Sequence, residues 1–305
     1  MRAFVLGAGL GKRLRPLTDL LPKPLIPVWQ RPLITYAFEH LMALGADEFV
    51  INTHHLPAAY QTAFPATQYQ GAPLHFRFEP TLLETGGGLI NVADLLNDGP
   101  FAVYNGDILT DLPLKSAWLR HQTEGNLITL VLRSTGQVRN VAFDEETGRV
   151  LDLRNALRTD HPNQVQFTGL YFVNPGFFRY LTFGKIESVV EGILRAIAAG
   201  EKVGGLVVNE GNWWDLGERE SYLEAHAAYG KLHPVVKIHP SAQVAEDVEC
   251  DESTCIGEGC HVGAGTQLVN TILWPGAEIA AGAELHHCIV RPGSVISGIH
   301  VDKIL

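Results

Sequence analysis

The hydrophobic positions follow two different patterns along the chain. Up to about residue 225, short apolar runs alternate with amphipathic segments, beginning with a buried-type strand at Arg2–Leu6. Residues 32–44 place Leu33, Ala37 and Leu41 on one face of a helix that Gly45 is expected to end. Further strands are predicted at 48–52, 74–78, 101–104, 127–132 and 168–173, and a helix at 220–231. Strands separated by helices indicate βαβ units and a mostly parallel, Rossmann-like α/β sheet.

From about residue 236 the apolar positions recur every six residues instead. The series is Ile238, Val244, Cys250, Ile256, Val262, Leu268, Leu273, Ile279, Leu285, Val290 and Ile296. Helices repeat every 3.6 residues and ordinary strands every 2, so this period predicts a parallel β-helix in which each hexad forms one face of a triangular coil. The steps of five residues that end at Leu273 and Val290 predict corners shortened by one residue.

The change of pattern predicts two domains, residues 1–232 and 236–305, with Pro234 interrupting the helix between them. In the first domain, ligands of a parallel sheet are expected beyond the carboxyl ends of the strands. The residues that follow Leu6, Asn52, Phe78 and Tyr104 are therefore the first candidates for a binding site.

Charge limits the class of partner. The 305 residues carry a formal charge of −10, and no long run of Lys or Arg is present, which argues against nucleic acid. Nine acids and three bases after residue 236 place −6 of this charge in the hexad region. No stretch of about 18 apolar residues occurs, so we expect neither a membrane span nor a signal peptide, and a cytoplasmic protein. The spacing of Cys250, Cys255, Cys260 and Cys288 favours buried apolar thiols over a zinc site.

The first predicted strand leads directly into a glycine-rich, basic loop at residues 7–18, GAGLGKRLRPLT. Glycines after a strand let backbone amides approach phosphate oxygens closely. Four cations stand within twelve residues of an otherwise acidic protein, at Lys12, Arg13, Arg15 and Lys23. The spacing fits neither the Rossmann fingerprint nor the Walker A loop, and we expect a triphosphate site of another kind.

This loop, followed by PKPLIPV at 22–28, resembles the signature of the sugar-1-phosphate nucleotidyltransferases. Further stretches agree in the family's order: ETGGG at 84–88, NGD at 105–107, TGLYF at 168–172 and WWDLGE at 213–218. ETGGG with its preceding Leu83 looks most like the N-acetylmuramate-1-phosphate uridylyltransferases. The hexad region is instead similar to that of mannose-1-phosphate guanylyltransferases, which implies a left-handed β-helix.

The resemblance implies a role for each matching residue. Arg13 and Lys23 would neutralise the phosphates of a nucleoside triphosphate and, for Lys23, those of the incoming sugar phosphate as well. Asp107 would act in catalysis and, with Asp215, hold Mg²⁺, for which carboxylate oxygens are suitable ligands. The nucleotide-binding set would be Gly7, Ala8, Gly9, Gly11, Arg13, Lys23, Asn52, Glu84, Thr85, Gly86 and Asn105.

One departure from the family concerns the sugar phosphate. Many members carry a Glu-Lys pair about fifteen residues before the TGLYF strand, and here residues 150–158 read VLDLRNALR. Arg154 or Arg158 is a candidate replacement, because a guanidinium fork suits phosphate. The sugar-binding candidates are Gly169, Asn155, Arg154 and Lys185, with Asn140 as a further one.

Alternatives remain for single residues and for the whole chain. Asp107 has a second interpretation as the cap of a following helix. Asp111 is a further candidate metal ligand and is equally compatible with being the N-cap of a helix at 114–121. A β-helix acyltransferase using His261, His286 or His287, and a non-catalytic sugar-nucleotide sensor, are the competing functions. The expected partners are an NTP and a sugar 1-phosphate, with UTP favoured over GTP, and a second copy of the chain bound through the β-helix.

Overall fold

In the computed structural model, which describes residues 1–293 and 295–305, the chain forms two compact units. The sheet unit comprises Met1–Leu10 and Ile34–Trp213, and the coil unit comprises Gly11–Leu33 and Trp214–Leu305. Residues 11–33, here called the signature segment, therefore pack with the C-terminal part of the chain. The predicted domains, residues 1–232 and 236–305, were defined by the hydrophobic pattern along the chain, whereas these two units are defined by packing. The predicted boundary therefore stays a prediction.

The residues before 236 form short strands and six helices within the described ranges. The helices are α1 (Leu33–Met42), α2 (Pro57–Ala63), α3 (Glu84–Asn91), α4 (Lys115–Thr123), α5 (Val189–Ala198) and α6 (Arg219–Leu232). The strands are β1 (Arg2–Leu6), β2 (Pro27–Val28), β3 (Arg31–Pro32), β4 (Glu48–Thr53), β5 (Gln68–Tyr69), β6 (Ala72–Phe78), β7 (Phe101–Asn105), β8 (Ile108–Thr110), β9 (Ile128–Arg133), β10 (Val141–Asp144), β11 (Arg149–Leu153), β12 (Gln164–Val173), β13 (Val203–Val207) and β14 (Trp213–Asp215).

The sheet unit is built on one ten-stranded sheet with the order β10-β11-β13-β9-β12-β7-β1-β4-β6-β5. β1 pairs in parallel with β4 and β7, and β4 with β6, as the alternating pattern predicts. β12 runs antiparallel to both β7 and β9. Buried aliphatic and aromatic side chains, among them Phe4, Val50 and Val103, fill the core. The parallel register brings the carboxyl ends of β1, β4 and β7 to one edge.

The C-terminal strands form three stacked parallel sheets, which are the three faces of a β-helix. Their bounds are β15 (Gln243–Val244), β16 (Glu249–Cys250), β17 (Cys255–Ile256), β18 (His261–Val262), β19 (Gln267–Val269), β20 (Ile272–Leu273), β21 (Glu278–Ile279), β22 (Glu284–His286), β23 (Ile289–Val290), β24 (Val295–Ile296) and β25 (Ile299–Val301). The sheet orders are β15-β18-β21-β24, β16-β19-β22-β25 and β17-β20-β23. The predicted α/β sheet with a parallel β-helix is therefore confirmed.

The hexad series predicts the registered columns of this β-helix. Val244, Val262 and Ile279 stand in register on one face, and Ile256 and Leu273 on another. The two five-residue steps coincide with corners at Asn270 and His287, which have φ of 45° and 52°, where other corners use glycine. Asn and His are among the residues other than glycine that occur most often in this left-handed conformation.

Leu114, not Asp111, is the N-cap of α4, and Asp111 instead accepts hydrogen bonds from the backbone and side chain of Asn212. A strand, β8, follows Asp107, so this residue does not cap a helix. Cys255, Cys260 and Cys288 are buried as expected, whereas Cys250 is exposed. Among the described residues, no helix is long and apolar enough to cross a membrane.

Candidate nucleotide and phosphate site

The glycine loop begins where three parallel strands end. Leu6 is in register with Asn52 of β4 and Asn105 of β7, so the residues that follow these three strands share one edge of the sheet. The backbone N–H of Gly7 donates to Asn52 Oδ1 at 2.8 Å, and that of Gly106 donates to the Leu6 carbonyl at 3.0 Å. The first turn of the loop is thus fixed to its two neighbours.

A buried polar network extends from this point. Asn52 is 1% exposed, and its Nδ2 donates to Glu79 Oε1 at 2.7 Å, while Glu79 Oε2 accepts from the Leu83 N–H at 3.1 Å. The Tyr60 hydroxyl donates to the Gly7 carbonyl at 2.8 Å. Burial raises the pKa of Glu79, and its hydrogen bonds with Asn52 and Leu83 act in the opposite direction. Both amide atoms of Asn52 are engaged inside the protein, a placement that suits holding the loop.

Sequence reasoning placed Glu79 among its candidates, as the residue after Phe78, without giving it a role, and it missed Tyr60. Glu79 follows β6 directly and precedes a proline, so its position at a strand end was the available signal. Tyr60 gave none, because a tyrosine in a short helix is ordinary until its hydroxyl is seen to meet Gly7.

The ETGGG stretch opens α3, although glycine is a poor helix former. Tight packing accounts for the composition. A Cβ on Gly86 would lie 2.8 Å from the Ser188 backbone, and one on Gly88 would lie 2.8 Å from Asn52 Nδ2. The Thr85 hydroxyl accepts from the Val189 N–H at 2.9 Å. Glu84, the first residue of the stretch, is exposed and has a φ of 60°, a left-handed conformation that a bulky residue seldom adopts.

Gly169 lies in β12, where a side chain would collide with Asn105. Its φ is 81°, and a Cβ there would stand 2.6 Å from Asn105 Nδ2. Asp107 lies two residues beyond Asn105, between β7 and β8, and is half-buried. The predicted sugar contact and the predicted catalytic carboxylate therefore flank the same strand end in the sheet unit.

The signature segment belongs to the coil unit and carries the predicted cations. Lys23 Nζ lies 3.0 Å from Asp215 Oδ1, with the lysine side chain 7% exposed and the aspartate 42% exposed. Arg13 Nη1 lies 2.8 Å from Glu218 Oε1, and both side chains are more than half exposed. The structure thus brings Lys23 together with Asp215, and it adds Glu218, which sequence reasoning left without a role.

The predicted sugar-phosphate arginines lie on an organised loop. Asp152 is fully buried, and its carboxylate accepts from the Leu157 and Thr159 backbone N–H groups. Arg154 and Arg158 are exposed on this loop. Asn155 Nδ2 donates to Asp160 Oδ1 at 2.7 Å. The Asp152 carboxylate therefore orders the loop from inside the protein, while the side chains of Arg154 and Arg158 lie at the surface.

Lys185 lies elsewhere in the sheet unit. Its Nζ is 3.3 Å from Glu187 and 3.5 Å from Glu191, and half of its side chain is exposed. Its carbonyl approaches Gly87 of the ETGGG stretch. This places the lysine beside the helix that is predicted to face the nucleotide.

Asp107 and Asp215 offer carboxylate oxygens, which hard cations prefer, but neither belongs to a ready-formed group of metal ligands among the described residues. No group of three or more His, Cys, Asp or Glu residues able to hold a metal occurs in the described part of the chain. Asp215 is half-exposed and already contributes one oxygen to Lys23. Magnesium commonly takes one or two carboxylates together with phosphate oxygens and water, so the carboxylate of Asp107 and that of Asp215 are each of a suitable chemical type for Mg²⁺.

Comparison with known proteins decides the family. The family model described as nucleotidyl transferase matches residues 2–231. The chain belongs to the nucleotidyl transferase family. The resemblance inferred from the signature, ETGGG and WWDLGE stretches is confirmed at this level.

Individual relatives of this nucleotidyl transferase differ in the base they use. The chain is 30% identical over 280 residues to mannose-1-phosphate guanylyltransferase 1 of Arabidopsis thaliana, covering 86% of this chain and 75% of that protein. It is 27% identical over 242 residues to a UTP–glucose-1-phosphate uridylyltransferase of Synechocystis, covering 74% and 62%. A UDP-glucose pyrophosphorylase from Acinetobacter baumannii has the same fold, with a TM-score of 0.65 at 17% identity, covering 77% of this chain and 95% of that one.

Proposed function

We propose that this nucleotidyl transferase joins an NTP and a sugar 1-phosphate to give an NDP-sugar and pyrophosphate. The proposal depends mainly on the ion pairs of two cations in the signature segment. Its Lys23 and Arg13 are held by Asp215 and Glu218, respectively, in an otherwise acidic protein. Cations restrained beside carboxylates are ready to receive the charge of phosphate groups with little reorganisation.

The reaction needs positioning and charge neutralisation more than proton transfer. An oxygen of the sugar phosphate, ionised at neutral pH, attacks the α-phosphorus, and pyrophosphate leaves in line. Lys23 would contact the α-phosphate and the sugar phosphate, and Arg13 would contact the β- and γ-phosphates. Mg²⁺, held by Asp107 and Asp215 when bound, would draw negative charge from the phosphate oxygens. No general base is required, which leaves the thirteen histidines without a catalytic role.

The sheet unit would supply the shape of the nucleotide site. Ala8 and Gly9 would admit the phosphates, as would Gly11 at the start of the signature segment, and Glu84, Thr85 and Gly86 would border the base and ribose. We assign Asn52 the task of holding Gly7 and Glu79, since its amide is fully engaged. Gly169, Lys185 and the loop that carries Arg154 and Asn155 would receive the sugar phosphate.

We favour UTP because ETGGG resembles the uridylyltransferases that use N-acetylmuramate 1-phosphate, and an acidic or neutral hexose 1-phosphate is the matching acceptor. GTP with mannose 1-phosphate is the second candidate, favoured by the 30% identity to the Arabidopsis guanylyltransferase. The acyltransferase alternative leaves the Lys23–Asp215 pair without a purpose. Self-association through the β-helix is part of the proposal.

The decisive experiment is pyrophosphate release from each of the four NTPs, with Mg²⁺ and a panel of sugar 1-phosphates. Release with at least one pair is expected, and silence across the whole matrix would overturn the enzymatic proposal. Asp107→Asn should abolish turnover with little change in Tm, because the side chain keeps its size. A large loss of stability would instead indicate a structural role for this carboxylate.

A further inference from the structure

A strained turn follows the phosphate-binding part of the signature segment. β2 and β3 form a hairpin in which Val28 is in register with Arg31. The two residues between them, Trp29 and Gln30, have φ of 43° and 71°. Such two-residue turns favour Asn and Gly, and bulky residues in left-handed conformations are destabilising. The surroundings must hold this turn in place.

Trp29 is anchored on α6. Its ring stacks on His226 with centroids 4.0 Å apart, and its backbone N–H donates to His226 Nε2 at 3.1 Å. The indole N–H donates to the His226 carbonyl at 2.6 Å. Gly230, one turn further along the helix, leaves room for the indole ring. The tryptophan is 3% exposed, so the first residue of the turn is buried and fully bonded.

Gln30 connects the turn to the β-helix. Its Nε2 donates to the Ile256 carbonyl at 2.7 Å and approaches Cys255 Sγ at 3.2 Å, both on β17. Ile256 is fully buried in the apolar core of the β-helix. The amide of Gln30 therefore joins the turn to a rigid part of the coil unit.

A second contact reaches the same hairpin. The Tyr222 hydroxyl on α6 donates to the Pro27 carbonyl, and Trp274 Nε1 of the β-helix donates to that hydroxyl at 3.3 Å. Two routes therefore lead from the β-helix to the hairpin, one through Gln30 and one through Trp274 and Tyr222.

The hairpin is continuous with Lys23. The Ile26 N–H donates to the Lys23 carbonyl at 3.2 Å, and the Leu33 N–H donates to the Ile26 carbonyl at 3.0 Å. A shift of the turn would be transmitted through these bonds to the residue that carries the buried ammonium group. Small misplacements of a positioning group are costly in enzymes.

We propose that Gln30 is a positioning residue that fixes Lys23 by tying the strained hairpin to the β-helix. The β-helix then serves as the seat of the phosphate-binding segment in addition to any role in assembly. The catalytic meaning of Gln30 rests on the proposed function, whereas the anchoring can be measured independently.

The test uses Gln30→Gly in the full chain. Glycine suits a φ of 71°, so the turn keeps its conformational preference while the bond to Ile256 is lost. We expect KM for both the NTP and the sugar 1-phosphate to rise by about tenfold, which corresponds to ~1.4 kcal/mol of binding. KM is informative because a smaller folded fraction would lower the apparent kcat and leave KM unchanged. Gln30→Glu, which keeps the stem and removes the donor, should raise KM in the same way.

Gln70→Gly is the matched control. Gln70 also has a left-handed backbone in a hairpin turn, with φ of 47°, and its side chain bonds to Glu39 of α1 in the sheet unit. Its replacement should leave both KM values within twofold of wild type. A rise equal to that of Gln30→Gly would overturn the proposal, since any relaxed turn would then suffice.

Amide hydrogen exchange of residues 11–33 separates the two levels of the proposal. Exchange at Leu25, Ile26 and Leu33, whose N–H groups are bonded in the structure, should quicken in Gln30→Gly and stay unchanged in Gln70→Gly. Unchanged exchange, or faster exchange with unchanged KM, would overturn the positioning role. If wild type proves inactive with every substrate pair, the proposed function fails and the catalytic role of Gln30 fails with it, while exchange still decides the anchoring.

Discussion

The signature segment and the glycine-rich edge of the sheet unit are shaped by opposite means. In the signature segment, the predicted phosphate ligands are side-chain cations restrained by carboxylates, as in Lys23 with Asp215. At the sheet edge, glycine backbones lie against buried polar side chains, as Gly88 does against Asn52 and Glu79. The first region is defined by charged side chains, and the second by closely packed glycine backbones. Substitutions that remove charge should therefore act on catalysis in one, and those that add volume should act on stability or access in the other.

The largest effect is expected from Lys23→Met. Loss of the buried ammonium group that we propose contacts phosphate should lower kcat/KM by about 10²–10³, the range found when one charge-stabilising donor is removed. Tm should change little, because Asp215 is 42% exposed and regains water. Steady-state pyrophosphate release and thermal unfolding measure the two quantities. Lys202→Met, at an exposed lysine of the sheet unit, is the control, and an equal loss there would contradict the assignment.

At the glycine-rich edge, two alanine substitutions should separate shape from access. A Cβ on Gly88 meets Asn52 and Glu79 within 3 Å, so Gly88→Ala should destabilise the protein by about 1–3 kcal/mol, as overpacking does. A Cβ on the exposed Gly9 meets nothing within 4 Å, so Gly9→Ala should leave the free energy of unfolding nearly unchanged. Denaturant titration of both variants checks the contrast.

Gly9→Ala should nevertheless raise KM for the NTP by about tenfold, a loss of ~1.4 kcal/mol, because the methyl group would occupy space needed by phosphate. The sugar 1-phosphate KM provides the internal control and should change less. Normal KM for the NTP in this variant would show that the backbone at Gly9 does not approach the nucleotide.

Features of the two regions that depend on local sequence could be predicted, whereas contacts between residues far apart in the chain could not. The period of six was sufficient to place the inward columns of the β-helix, because each coil repeats the same local environment. Gly7, Asn52 and Asp107 could be identified as candidates because each lies at or just beyond the end of a strand that is evident from its apolar residues.

Contacts between distant parts of the chain were beyond reach. Nothing near Gln30 indicates that its amide meets Ile256, 226 residues later, and nothing near Lys23 indicates that it contacts Asp215. The helical start of ETGGG was equally hidden, because local propensity disfavours it and only tertiary packing at Gly86 and Gly88 explains it.

Acid should destabilise both units, through different histidines. Burial lowers the pKa of His226, beneath the Trp29 ring, to about 3, and that of His121 in the sheet unit to about 4. Because these values lie below the ordinary value of about 6.5, the unfolded chain takes up protons first as the pH falls. The stability contributed by the neutral rings is complete above pH ~6.5 and is lost as the pH approaches the folded pKa values.

The decline of Tm between pH ~7 and ~4 should therefore become shallower in His226→Gln and, separately, in His121→Gln. Circular dichroism melts at several pH values measure the slope. If His226 supports the hairpin, the protection factor of the Leu33 N–H, which corrects for the slower intrinsic exchange at low pH, should fall with acid in wild type. A slope unchanged by either substitution would show that other groups control acid unfolding.

The smallest effect concerns the exposed pair in the signature segment. Arg13 and Glu218 are 65% and 56% exposed, and surface ion pairs contribute only about 0–1 kcal/mol. Glu218→Gln should therefore leave Tm almost unchanged. If Arg13 binds the triphosphate as proposed, Glu218 would compete with it for the guanidinium group, so neutralising Glu218 should lower KM for the NTP by about two- to fivefold at low salt, and less as salt screens the pair.

The salt dependence distinguishes competition from a simple change in local structure. Glu220→Gln, two residues further along and paired with Arg219, removes the same charge without altering a partner of Arg13. If both substitutions lower KM equally, long-range charge is responsible. If Glu218→Gln alone lowers KM, the Glu218 carboxylate holds Arg13 in place in the ligand-free protein until the nucleotide replaces it. The two regions then differ as the comparison suggests. In the signature segment the arginine changes partner when the nucleotide binds, whereas the glycine-rich edge already has its final shape.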